Sequence, residues 1–327
     1  MSFPHYEKNA DKIKRKVLFV RLSALGDVAA AAHVAMMLKE KYPSFELTWL
    51  VDSAYASLPR LMPWVDNVLC WDRKTGNSGF LKLIRQVRSM KFDMLFNMQG
   101  TDRMALFTLF SGIPERFGTH RHFQFLYTED VYWALGALGI PLSPQRGVRS
   151  LVRPDGAHSV EPFPLSSDGM PRIALVIGAS RSRKRWPAQH WSKLTAALLE
   201  RNYSLVMLGD GREEELLASA VAADNPSSRL TNLVGKTSIE DCIRVLDDSD
   251  AVVSGDTGLL HIGMALGKPV AAFFGAYALW RAYMESLDEC LCVPCEEMGC
   301  GNWNCAKPCL ETITPEEVLA AVERLIS

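Results

Sequence analysis

The chain carries no charge excess: 36 Lys and Arg face 37 Asp and Glu over 327 residues, a formal net charge of −1. That excludes a general nucleic-acid binder, whose affinity needs surplus cations against phosphates. No apolar run approaches the roughly twenty residues of a membrane-spanning helix. No apolar signal-peptide core follows the basic stretch Asp11-Lys12-Ile13-Lys14-Arg15-Lys16 before the first strand. The expectation is a cytoplasmic protein, with peripheral contact to the inner membrane as the one membrane role left open. Outside residues 290–309 cysteine is scarce, with only Cys70 and Cys242 of the eight lying elsewhere, so no disulfide framework runs through the chain. The three glycines of a dinucleotide-binding turn are also missing. Leu22-Ser23-Ala24-Leu25-Gly26-Asp27 has one, which removes the main support for a nicotinamide-dependent oxidoreductase.

What is present is enough apolar material, 48% of residues, for two sizeable cores, in a chain long enough for two domains of roughly 150 residues each. The first half alternates strands and helices. Strands are expected over 16–22, 45–51, 68–71 and 92–97, and helices over 27–42, 53–61, 79–91, 103–111 and 123–138. Between Pro141 and Pro171 fall six of the 17 prolines, so the α/β pattern breaks there. It then restarts with strands near 172–177, 203–208, 230–234, 251–253 and 270–274. Thr314-Pro315-Glu316-Glu317 reads as a capping box opening the last helix. The expected organisation is α/β: a doubly wound, Rossmann-like domain over 1–150, a linker over 151–171 and a second such domain over 172–327. Loops at the carboxyl edges of their strands are the expected binding edges.

The most informative stretch is Val253-Ser254-Gly255-Asp256-Thr257-Gly258-Leu259-Leu260-His261, which continues to Gly267-Lys268-Pro269. A buried strand gives way to a Gly-flanked Asp-Thr and then to a helix. Such a turn caps the helix through side-chain oxygens and points backbone N–H groups at an anion. His261 lies one turn beyond Thr257 on the same helix face. Three more segments join it: Arg21-Leu22-Ser23-Ala24-Leu25-Gly26-Asp27-Val28 after the first strand, Asn97-Met98-Gln99-Gly100, and Lys184-Arg185-Trp186-Pro187 ahead of a helix. In this order and spacing the four segments resemble glycosyltransferase family 9, the bacterial ADP-heptose:lipopolysaccharide heptosyltransferases, from about Lys16 to the final helix.

The resemblance implies the GT-B arrangement, two Rossmann-like domains facing across a cleft. The N-terminal one would bind the acceptor and the C-terminal one the nucleotide sugar. It implies an inverting transfer of heptose from a nucleoside-diphosphate sugar, by expectation ADP-heptose, to a lipopolysaccharide-core or related glycan. No cofactor is required. Asp27 occupies the position of the family's catalytic Asp, a general base that takes the acceptor hydroxyl's proton; taken alone it reads as a helix N-cap. Lys184 aligns with the lysine that contacts the diphosphate, and Ser180 and Ser182 stand where the family has hydroxyls. Asp256, Thr257, Gly258 and His261 would complete the nucleotide-sugar site. Gln99, Arg103 and Arg116 are candidates for the anionic acceptor, since guanidinium groups pair with carboxylates and phosphates; each also reads as an ordinary surface side chain. Glu213 and Glu214, after Gly209-Asp210-Gly211, read either as a helix start or as a ribose contact. The helix over residues 80–91 is basic and amphipathic, suited to covering the sheet or, less directly, to lying on a membrane surface.

The cysteine-rich segment 290–309 departs from a plain transferase. Cys292, Cys295, Cys305 and Cys309 have spacing that a four-thiolate zinc or iron site could use, and free thiols fit equally well. Two rival readings follow: another GT-B sugar-nucleotide enzyme such as a 2-epimerase, and a cysteine-metal module on a degenerate transferase scaffold. Intact Asp27, Lys184 and Asp256 argue against degeneracy.

Overall fold

The structure is a computed structural model that describes residues 14–142, 147–155, 169–179, 181, 184–275, 288–292 and 309–327. Ser180, Ser182, Cys295, Cys305 and the middle of the expected linker lie outside the described residues. The chain divides into two compact units, one of Met1–Pro144 with Ser150–Val152, the other of Gln145–Arg149 with Arg153–Ser327.

In the first unit β1 (Arg15–Val20), β2 (Phe45–Asp52), β3 (Asn67–Trp71), β4 (Met94–Asn97) and β5 (Glu115–Gly118) alternate with α1 (Leu25–Lys41), α2 (Ser57–Arg60), α3 (Gly76–Met90), α4 (Asp102–Phe110) and α5 (Val131–Ala137). The strands form one parallel sheet in the order β3-β2-β1-β4-β5. Val17–Val20 and Leu47–Val51 are buried without alternation, as strands covered on both faces must be. Leu83, Ile84 and Val87, at helical spacing on α3, close over Leu18, Val20 and Leu95. Lys82, Arg85 and Arg88 lie on its exposed side.

In the second unit β6 (Arg172–Val176), β7 (Ser204–Leu208), β8 (Leu230–Asn232), β9 (Ala251–Gly255), β10 (Val270–Phe274) and β11 (Glu289–Cys292) form a parallel sheet ordered β11-β10-β9-β6-β7-β8. Its helices are α6 (Ala188–Glu200), α7 (Arg212–Asp224), α8 (Ile239–Asp248), α9 (Gly258–Ala265) and α10 (Pro315–Ile326). The last opens as expected: Thr314 Oγ1 accepts from the Glu317 N–H at 3.3 Å, and Glu317 returns a carboxylate oxygen to the Thr314 N–H at 2.8 Å. Caps of this kind contribute about 1 kcal/mol. In both sheets the strand order reverses once, between β1 and β4 and between β6 and β9. At such a point the connections leave in opposite directions and open a crevice at the strands' carboxyl ends.

Two four-residue edge strands, β5 and β11, were not anticipated; they are too short and too mixed in polarity to show a strand pattern. The expected helix over 123–138 is instead a 3-10 turn, Gln124–Leu126, followed by α5. Thr128 is drawn alongside β5, its N–H donating to the Arg116 carbonyl at 2.8 Å and its hydroxyl accepting from the Arg116 N–H at 2.9 Å. Asp130 then caps α5 through the N–H groups of Tyr132 and Trp133. No helix among the described residues is long and apolar enough to cross a membrane.

His33 lies on the Ala-rich inner face of α1, fully buried, with no hydrogen-bond partner for either ring nitrogen among the described residues. Burial pushes its pKa below the ordinary 6.5. The unfolded chain therefore takes up a proton that the folded chain refuses. The stability it contributes is full above about pH 6.5 and is lost as pH falls through the lower folded value. Thermal unfolding between about pH 8 and about pH 5 should show a falling midpoint, and His33→Leu should flatten that slope. Parallel slopes in the two proteins would refute this.

Candidate functional site

The described candidates from the second unit gather where its strand order reverses. Asp256 follows β9, and Thr257 is the N-cap of α9, its hydroxyl accepting from the Leu260 N–H at 3.4 Å and lying 3.1 Å from Ser254 Oγ. Gly258 is the first residue of the helix, so its N–H belongs to the open donors of a helix N-terminus. Gly255 ends β9, where a Cβ would stand 3.1 Å from the Phe273 ring. From the loop after β6, Lys184 Nζ reaches Asp256 Oδ2 at 2.5 Å, and His261 Nε2 lies 3.9 Å from Asp256 Oδ1. Burial works to raise the Asp256 pKa. The facing His261 imidazole and Lys184 ammonium outweigh it, so the carboxyl sits below its ordinary value. The group is a partly buried carboxylate held ionised between the Lys184 ammonium and the His261 ring.

The four residues of Lys184-Arg185-Trp186-Pro187 divide the work of holding that lysine. Arg185 Nε donates to the Ala179 carbonyl at 3.0 Å and to Glu214 Oε1 at 3.2 Å, and its Nη1 pairs with Glu213. Glu214 is buried beneath Gly178, whose φ of +89° and absent Cβ make room for it; a Cβ there would meet Glu214 Cγ at 2.1 Å. Both acids thus serve Arg185. The Trp186 indole N–H donates to the Ile313 carbonyl at 2.9 Å, and its ring packs edge-on to Trp191, centroids 5.1 Å apart. Pro187 leads into α6.

In the first unit the reversal between β1 and β4 gathers Arg21, Asp27 and Gln99. The N-cap of α1 is Ala24, not Asp27. Asp27, in the helix's first turn, reaches back with Oδ2 to the Ala24 N–H at 2.9 Å, while Oδ1 pairs with Arg21 Nη2 at 2.7 Å. Its side chain remains 51% exposed, enough to meet a substrate. Tyr132 is half-buried nearby. Burial raises its hydroxyl pKa, Arg21 opposes this, and Asp130 and Asp27 reinforce it.

The acceptor candidates separate. Gln99 Oε1 accepts from the N–H groups of Leu22 and Ser23 at 3.1 and 3.3 Å, so it braces the Asp27 loop. Arg103 lies over the rings of Trp71 and Phe80, at 5.1 and 4.8 Å, and donates to the Gly76 carbonyl at 2.7 Å. Arg116 donates through Nε to the Leu126 carbonyl at 2.9 Å and through Nη1 to the Ile113 and Pro114 carbonyls at 2.9 and 3.1 Å. Arg21 and His120 were missed by reading the sequence. His120 Nδ1 accepts from the His122 and Phe123 N–H groups and its Nε2 lies 3.0 Å from Asp102. Arg21 heads the segment that holds Asp27, which was the available signal; His120 had none.

The sequence matches the profile of glycosyltransferase family 9 (heptosyltransferase) over residues 80–309, more than half of the chain. It is 25% identical over 288 residues to lipopolysaccharide heptosyltransferase 2 of Escherichia coli, covering 80% of this chain and 82% of that one. Its fold is similar to the crystal structure of a family 9 glycosyltransferase from Veillonella parvula, with a TM-score of 0.78, 18% identity and coverage of 96% and 97%. It is also similar to E. coli heptosyltransferase WaaC with ADP-2-deoxy-2-fluoro heptose, with a TM-score of 0.71, 20% identity and coverage of 94% and 99%. The chain, with its two parallel α/β sheets in the GT-B manner, belongs to glycosyltransferase family 9, the heptosyltransferases.

Proposed function

We propose that this glycosyltransferase moves heptose from ADP-heptose to a lipopolysaccharide-core or related glycan, inverting the anomeric carbon. The observation that carries the reading is the Lys184–Asp256–His261 cluster at the start of α9, where its strand order reverses. A nucleoside diphosphate gains negative charge as it leaves. A fixed ammonium and open helix N–H groups stabilise that charge more in the transition state than in the ground state. In this reading Lys184 meets the diphosphate, Thr257 and the Gly258 N–H lie toward phosphate, and Asp256 and His261 face the sugar. Ser180 and Ser182 precede Lys184 in the sequence by four and two residues. The nucleotide sugar then belongs to the second unit and the acceptor to the first.

Attack by the acceptor hydroxyl forms the new C–O bond as the old C1–O–phosphate bond breaks, and the hydroxyl proton passes to the Asp27 carboxylate. ADP departs with the bonding electron pair. Arg103 and Arg116, both committed to local contacts, serve the acceptor by shaping its surroundings. A lipid-linked acceptor implies work at the cytoplasmic membrane surface. The exposed Lys82, Arg85 and Arg88 of α3, with no acid between Gly76 and Lys91, suit peripheral contact with anionic lipid.

Lys184→Met removes the cation and leaves the partly buried Asp256 with His261 alone facing it. Calorimetry should show ADP affinity falling roughly 10- to 100-fold, the scale of a charge-assisted hydrogen bond. Unchanged affinity would take Lys184 out of the site.

Asp27→Asn keeps a side-chain oxygen for the Ala24 N–H and removes the proton acceptor. The variant should fold, bind ADP, and lose about 10²–10⁴ in transfer rate. NMR of the product should show the anomeric configuration opposite to the donor's. Near-normal turnover in the variant would return Asp27 to capping, and release of free heptose or an epimer without acceptor would favour the epimerase reading.

Cys292 ends β11 and the half-buried Cys309 opens the 3-10 turn Cys309–Thr312. Among the described residues no three metal-binding side chains cluster. Thiolates are the soft donors zinc and iron take, so Cys292, Cys295, Cys305 and Cys309 remain our candidates for a structural ion, outside the transfer chemistry. Elemental analysis should find about one zinc or iron per chain, as a single four-ligand site requires, and Cys295→Ser should lose both metal and thermal stability. Metal-free protein of full stability leaves free thiols.

A further inference from the structure

A general base must come within about 2.6–3.2 Å of the proton it removes, so a half-exposed Asp with free rotamers would spend much of its time misdirected. Both oxygens of Asp27 are instead held, Oδ1 by Arg21 Nη2 at 2.7 Å and Oδ2 by the Ala24 N–H at 2.9 Å. A carboxylate has about four lone-pair sites, so two remain for a substrate proton. Arg21 is itself fixed at three points. Its Nη1 donates to the Met98 carbonyl just beyond β4, its main-chain carbonyl accepts from Trp49 Nε1 at 3.1 Å, and its main-chain N–H donates to the Leu50 carbonyl at 3.3 Å, with the side chain only 20% exposed. The planar guanidinium therefore spans from the end of β4 to the first turn of α1, a span that a single ammonium cannot reproduce.

Gln99 ties the same two elements one residue along. Its Oε1 holds the Leu22 and Ser23 N–H groups, and its own N–H donates at 3.0 Å to Asn97 Oδ1. Asn97 is buried, its amide bonded to Met104, Thr108 and Tyr127. The end of β4 is thus rigid, and both ties transmit its position to the loop that carries Asp27.

We propose that Arg21 and Gln99 are positioning residues for the Asp27 carboxylate: Arg21 aims it through a fork shared with the Met98 carbonyl, and Gln99 sets the loop beneath it instead of contacting the acceptor. This rests on the reading of Asp27 as the base.

The test is steady-state kinetics of the full-length enzyme with ADP-heptose and a lipopolysaccharide-core acceptor. Arg21→Met should lower kcat roughly 10- to 100-fold, the cost of a misaimed group, with both KM values within about twofold. Arg21→Lys, which keeps the charge but not the fork, should recover part of that loss. In an Asp27→Asn background Arg21→Met should cost nothing further, because it acts only through the carboxylate. Gln99→Met should likewise lower kcat at constant acceptor KM, and Gln99→Glu, which keeps an oxygen for the two N–H groups, should recover it. A raised acceptor KM at unchanged kcat in either variant would make that residue an acceptor contact and overturn its part. Additive losses with Asp27→Asn would overturn the positioning role. Should Arg21→Met fail to fold, Arg21→Lys decides alone, since wild-type kcat in a folded Arg21→Lys enzyme overturns the fork. An active Asp27→Asn enzyme would instead sink the base assignment, a result the single variants at Arg21 cannot mimic.

Discussion

A parallel sheet covered by helices on both faces has nowhere to put chemistry except the ends of its strands. In this chain that constraint acts twice. The connections from β1 run to β2 on one side while β4 lies on the other, and β6 is likewise flanked by β7 and β9. Each reversal leaves two carboxyl-end loops side by side with no helix packed between them. Arg21, Asp27 and Gln99 meet at the first such point, and Lys184, Asp256, Thr257 and His261 at the second. Much of the remaining fold serves to keep those loop pairs at fixed spacing.

Spacing alone does not aim a side chain, and here the aiming is done largely by arginines bonded to main-chain carbonyls. Arg21 joins the Met98 carbonyl to Asp27, and Arg185 joins the Ala179 carbonyl to Glu213 and Glu214. Arg103 and Arg116 do the same at Gly76 and at Ile113, Pro114 and Leu126. Guanidinium suits this task because it keeps its charge and offers five donors in one plane, so one side chain can satisfy a carbonyl and a carboxylate together. A substitution at any of them would leave a carbonyl or a carboxylate without that partner, with effects on loop geometry as well as on charge.

That division explains what could be read from the sequence. Apolar runs announce β1, β9 and β10 at Val17–Val20, Ala251–Val253 and Val270–Phe274, and the Thr314 capping box marks α10 residue by residue. The Asp-Thr-Gly turn at 256–258 and Lys184 carry local signals of binding, and the structure brings them together. The carbonyl contacts of Arg103 and Arg116 do not show in the sequence, because a carbonyl acceptor belongs to the backbone and leaves no mark in the side-chain pattern. The strands β5 and β11 were hidden for a related reason: an edge strand of four residues is defined by its neighbour's open hydrogen bonds more than by its own composition. Asp27 was read as a helix cap or a base. It occupies the third helical position, where it both bonds the cap residue's N–H and keeps half its surface in solvent.

On the proposed function, the second site keeps its binding group ready before a ligand arrives. A partly buried lysine without a counter-charge is costly, and removing one partner of such a pair costs far more than the pair itself is worth. Asp256 supplies the counter-charge at 2.5 Å, against a burial penalty on its own ionised form. On the proposed reading, a diphosphate that engages Lys184 weakens that pairing, and the carboxylate keeps a second neighbour in the His261 ring, 3.9 Å from its other oxygen. Three groups can then exchange partners without any of them standing unpaired in a desolvated crevice. On that reading, the arrangement favours tight but reversible capture of a charged nucleotide, because the ligand replaces one ionic contact with another and no new charge has to be buried alone.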